Sequence, residues 1–133
     1  MVDIDRFYEM LNEVCEELPD DFFRELHYGV QLSEEYKLSP YAENGDLVIM
    51  GEYSRSSQGN KITIYYGSFA HTCGWMPEDQ LKDKLRGVVR HEFRHHMENL
   101  AGMYGEDSLE HEDREEIRDM LQSRMKAKSG DKG

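Results

Sequence analysis

Apolar residues recur at steps of three and four near the start of the chain, at Ile4, Phe7, Tyr8, Leu11, Val14, Cys15 and Leu18, which is the signature of one apolar helical face. The pattern predicts an amphipathic helix over 3–18, broken by Pro19, with Asp20 or Asp21 capping a short turn that carries Phe22, Phe23 and Leu26. From residue 27 the period falls to two, with Tyr28, Val30 and Leu32 alternating against Gly29 and Gln31 as in a half-buried strand. Ser39-Pro40 and Asn44-Gly45 mark a loop. A second strand is expected over 47–53 and a third over 61–68, joined by the polar turn 54–60 into a hairpin. Pro77 suits the first position of a long helix whose stripe of Leu81, Leu85, Val88, Val89, Phe93 and Leu100 ends near Gly102. A last helix is expected from Asp107 or Ser108, carrying Leu109, Ile117, Met120 and Leu121. The order predicts an α+β domain, a small antiparallel or mixed sheet of three to four strands with flanking helices. That single domain is expected over 1–126, followed by a polar, disordered tail over 127–133.

Composition narrows the function classes. The chain has 133 residues, three prolines and no Gly/Ser-rich linker, so one core is the natural reading. Its formal net charge of -12 repels phosphate backbones, which argues against nucleic acid as a partner. With 33% charged residues and no long apolar run, no membrane association is expected. The opening Met1-Val2-Asp3-Ile4-Asp5 has neither a basic leader nor an apolar stretch, so a cytoplasmic location is expected, and the protein is expected to act as a monomer. Cys15 and Cys73 form no C-x-x-C pair and read as free thiols.

The chemistry lies on the long helix, at His91-Glu92-Phe93-Arg94-His95. Two imidazoles one helical turn apart can reach one tetrahedral zinc ion, and Glu92, one residue on, can take a proton from water attacking a carbonyl. A charged, solvated helix face can carry the same letters by chance. Helical phase favours the site, because the apolar stripe passes through Glu92 and His96 while His91 and His95 fall along its edge, and a buried carboxylate needs a partner.

A catalytic zinc normally takes three protein ligands and leaves one position open. The short-loop solution would place Gly and then His or Asp seven and ten residues beyond the first histidine, where this chain has Glu98 and Ala101. The next supply is Leu109-Glu110-His111-Glu112-Asp113. With Leu109 set at zero, Asp113 lies near 40° between Met120 at about 20° and Ile117 at about 80°, so it sits mid-face. Asp113 is therefore the expected third ligand, with Glu110 the alternative and an arginine ion pair the competing explanation.

The block 88–96, read as VVRHEFRHH, together with Glu16-Glu17-Leu18-Pro19 and the strand Lys61-Ile62-Thr63-Ile64-Tyr65 running into Gly67, resembles the minimal zincin-like metallopeptidase family. The resemblance implies a zincin-like fold with an active-site helix behind a sheet edge, one Zn2+ held by His91 and His95, and Glu92 as base. Many members carry H-E-x-x-H-x-x-G-x-x-D, from which Glu98 and Ala101 depart, so Asp113 would stand in beyond an inserted turn.

The remaining candidates follow from that frame. The third strand would lie beside the active-site helix as the edge on which an extended peptide pairs, with Thr63 and Tyr65 as its binding residues. His96, Tyr65, His71 and Tyr104 can each donate a hydrogen bond to an oxyanion, and His96 also fits a core or supporting role. The expected function is zinc-dependent hydrolysis of peptide or protein substrates of unspecified identity. The alternative is a non-catalytic, zinc-stabilised interaction or regulatory module on the same scaffold.

Overall fold

The computed structural model describes residues 1–41 and 47–102. The chain opens with helix α1, Ile4–Glu16, capped by the Asp3 carboxylate, which accepts from the Arg6 backbone N–H at 2.8 Å. Its apolar stripe buries Phe7, Met10, Leu11 and Val14. A single 3-10 turn, Asp20–Phe23, follows Pro19. Strands β1 (Val30–Ser33), β2 (Lys37–Leu38), β3 (Val48–Ile49), β4 (Gly51–Ser56) and β5 (Gly59–Tyr65) come next, then helices α2 (Tyr66–Cys73) and α3 (Glu78–Ala101). The architecture is mixed α and β, and no helix among the described residues is long and apolar enough to cross a membrane.

The main sheet has the order β1-β5-β4, with β1 parallel to β5 and β4 antiparallel to it, while β2 and β3 form a separate two-stranded ladder. Alternation along β5 sends Ile62 and Ile64 into the core, where they meet Phe7 and Met10 of α1, Phe69 of α2 and Leu81, Leu85, Val89 and Phe93 of α3. Phe7 packs edge-on against Tyr66 at 5.3 Å and Phe23 against Phe93 at 4.9 Å between ring centroids. On the outside of the two long helices, Arg86 grips Glu17 with two bonds of 2.7 and 2.9 Å, and Lys82 reaches Glu13 at 3.1 Å.

Three expectations are corrected. The third strand is not an edge: β5 is paired on both sides, so Thr63 and Tyr65 have no free backbone to offer a peptide, and among the described residues the outer strands of the sheet are β1 and β4, of which β4 lies against α3. It also ends at Tyr65, where the period changes and α2 begins with Ser68, Phe69 and Cys73 buried on one face. The hairpin turn is tighter than 54–60, since β4 runs to Ser56 and pairs with Gly59. The long helix agrees closely with its prediction, starting after Pro77 and ending at Gly102, whose φ of 63° is the left-handed cap conformation that glycine adopts without penalty. The expected last helix, the 127–133 tail, Tyr104, Glu110, His111 and Asp113 lie outside the described residues.

Candidate metal and active site

Helix α3 carries its buried stripe from Leu81, Leu85 and Val89 straight into Glu92, Phe93, His95 and His96. Glu92 is only 7% exposed and His95 only 1%, so polar groups continue where apolar ones would be cheaper to bury. His91 is half-buried. The histidines meet through their Nε2 atoms at 3.3 Å, with ring planes at 89°. Two imidazoles bound to a tetrahedral zinc at about 2.05 Å would hold their nitrogens about 3.3–3.4 Å apart, so the pair has the separation that ion requires. The same distance also accommodates an N–H···N bond between the rings.

The opposite nitrogen of His95 faces a carboxylate: Nδ1 lies 3.6 Å from Oε2 of Glu98. Glu98 in turn accepts from Nε of Arg94 at 3.1 Å. A carboxylate on that side favours the tautomer with its proton on Nδ1, leaving the Nε2 lone pair toward His91. Glu98 drew notice in the sequence only as the residue standing where glycine was sought. Its spacing of three from His95 on a helix was the available signal.

His96 is fully buried, and both of its nitrogens are engaged. Nε2 must donate to the Arg24 carbonyl at 2.7 Å, so neutral Nδ1 accepts from the Tyr53 hydroxyl, also at 2.7 Å. Asn99 Nδ2 donates to the same hydroxyl oxygen at 3.2 Å. Burial pushes the His96 pKa down, only partly opposed by the Arg24 carbonyl. His96 therefore braces α3 against β4 and the loop after the 3-10 turn, where Glu25 adopts a left-handed φ of 58°, and it has no N–H left for an oxyanion. Tyr53 was missed in the sequence because its role depends on strand placement.

Tyr65 is likewise committed. Its hydroxyl donates to Glu52 at 2.7 Å, and burial together with that carboxylate raises its pKa well above the usual phenol range. His71 is exposed and stacks on Tyr36 at 4.5 Å. Cys15 and Cys73 are free thiols, and burial pushes Cys15 up to about 11.

His91 and Glu92 open into a cleft of about 570 Å³ between α3 and the strand segment that includes Val48, Ile49 and Met50. Gly51 lets β4 close on the helix there: a Cβ at this position would lie 2.8 Å from Val88 Cγ1 and 3.4 Å from Glu92 Cγ. Among the described residues no group of three or more His, Cys, Asp or Glu converges as a metal site, so a third protein ligand would have to come from outside them.

No family model and no curated protein matches the chain. It is similar to a solved structure, a conserved hypothetical protein from Thermo thermophilus, with 32% sequence identity and a TM-score of 0.65 over 77% of this chain and 100% of that one. The chain belongs to the same family as that protein.

Proposed function

We propose that this chain is a zinc-dependent metallopeptidase on a zincin-like scaffold, with His91 and His95 as ligands of one Zn2+ and Glu92 as general base. The observation that carries the reading is the 3.3 Å separation of the two Nε2 atoms on one helix, which suits adjacent ligands of a tetrahedral ion. Asp113 is the proposed third ligand, with Glu110 as its alternative. Zinc bound there would acidify a water and polarise a substrate carbonyl.

The chain's own residues would do the rest. Glu92, one position from His91 and lining the same cleft, takes the proton of the attacking water and passes it to the leaving amine. Glu98 orients His95 from behind, and the Tyr53–His96–Arg24 chain of hydrogen bonds keeps β4 and α3 in register. The substrate lies along β4, which pairs with a strand on one side only among the described residues.

The test pairs metal analysis with hydrolysis of a mixed peptide library by wild type and Glu92→Gln. Stoichiometric zinc with cleavage that falls at least ~100-fold in Glu92→Gln supports the proposal. Bound zinc with no Glu92-dependent cleavage would replace it with the non-catalytic, zinc-stabilised module.

A further inference from the structure

We propose that the space over Gly87 receives a large apolar side chain of the substrate and that Gly87 sets the depth of this pocket, an inference that deepens the peptidase reading and rests on it. Gly87 lies inside α3, exposed, one turn before His91 and therefore on the same helix face. Glycine in a helix interior is destabilising relative to alanine. Nothing in the packing among the described residues asks for it here. Its φ is not in the left-handed region, and among the described residues no atom lies within 4 Å of a Cβ built on it.

The place of Gly87 in the cleft supplies the reason. It lines the same cleft as His91 and Glu92, and the facing wall is Leu47, Val48, Ile49 and Met50. The two cleft glycines have opposite surroundings. Gly51 has no room for a methyl group and holds the strand wall against the helix, whereas Gly87 leaves room on the helix side. Asp83, Lys84 and Glu52 also line the cleft, while its strand side presents the aliphatic run Leu47, Val48, Ile49 and Met50. A pocket open on the helix side, aliphatic on the strand side and adjacent to His91 fits a leucine- or phenylalanine-sized side chain beside the scissile bond. Burying such a group favours its peptide over the alanine analogue by roughly 10- to 100-fold.

The test uses the full chain loaded with zinc, as wild type, Gly87→Ala and Gly87→Leu. Each is given blocked peptides identical except for one position filled by Ala, Val, Leu or Phe. Cleavage is measured, and binding is followed by amide shifts of Val88 and His91 in a Glu92→Gln background. Wild type is expected to prefer Leu and Phe over Ala by about 10-fold or more, and Gly87→Leu to lower that ratio at least 10-fold. Gly87→Ala should fall between them while melting no lower than wild type, which marks the loss as steric. An unchanged preference in Gly87→Leu, or an equal loss for all four peptides, overturns the pocket and leaves hydrolysis standing. If wild type cleaves none of them, binding decides: shifts caused by the Leu peptide and abolished by Gly87→Leu support the pocket without the enzyme, and no shifts overturn it.

Discussion

Replacing Gly51 by alanine probes the contact that brings the edge strand against the helix carrying Glu92. The new methyl would sit 2.8 Å from Val88 Cγ1, 3.2 Å from Ile64 Cδ1 and 3.4 Å from Glu92 Cγ. The end of Ile64 can yield, but Val88 is β-branched on a helix and has one favoured rotamer, so β4 or α3 must shift. Overpacking of this kind is destabilising by about 1–3 kcal/mol. Alanine recovers about 0.4–1 kcal/mol by restricting the unfolded chain. At mid-range the net expectation is a loss of about 1.3 kcal/mol, or roughly 4–7 °C in Tm for a chain of this size. Removing Cγ1 by Val88→Ala should relieve the clash, so that Gly51→Ala becomes nearly neutral in that background, with a coupling of about 1–2 kcal/mol. Urea denaturation of the four proteins at fixed pH measures the cycle. A Gly51→Ala protein as stable as wild type, or the same cost in both backgrounds, refutes the reasoning.

Three further outcomes are expected. Tyr53→Phe removes the donor to His96 Nδ1 and should lower stability by about 1–3 kcal/mol; a Tm within error of wild type would show that the brace carries no weight. Arg86 holds the Glu17 carboxyl below its ordinary value of 4.5, so the pair stabilises the fold above that pH and the contribution is lost as the pH falls through the lowered value. Glu17→Gln should therefore flatten the acid limb of a pH–stability curve, and parallel limbs would contradict the assignment. Zinc at about a hundredfold its Kd should add about 2.7 kcal/mol to stability; EDTA should reverse the gain, and His95→Ala should show no response to either.

Much of the fold was legible where the signal is local and long. Helix α3 announces itself through its stripe, Pro77 and Gly102, and α1 through six apolar residues in phase, the seventh, Leu18, lying just past its end. Helix α2 was not legible, because a stretch of eight residues directly after a strand shows too few turns to establish a period. The position of β5 was misread for a different reason. Its parallel partner β1 lies some thirty residues away in sequence, and nothing in the alternation of either strand reports which neighbours it has. The site divides in the same way. His91, Glu92 and His95 are one local motif, and helical phase correctly put Glu92 and His96 on the buried side. The engagement of His96 with Tyr53 and Arg24, and the approach of Gly51 to Val88, require the tertiary fold and were invisible in the sequence.

The most direct test of the proposed zinc site is the anomalous signal of zinc-loaded crystals above and below the zinc absorption edge. One ion is expected at about 2.0–2.1 Å from both His91 Nε2 and His95 Nε2, with a carboxylate from Asp113 or Glu110 completing the protein ligands. An ion elsewhere, or no edge-dependent peak between the two histidines at saturating zinc, would contradict the account.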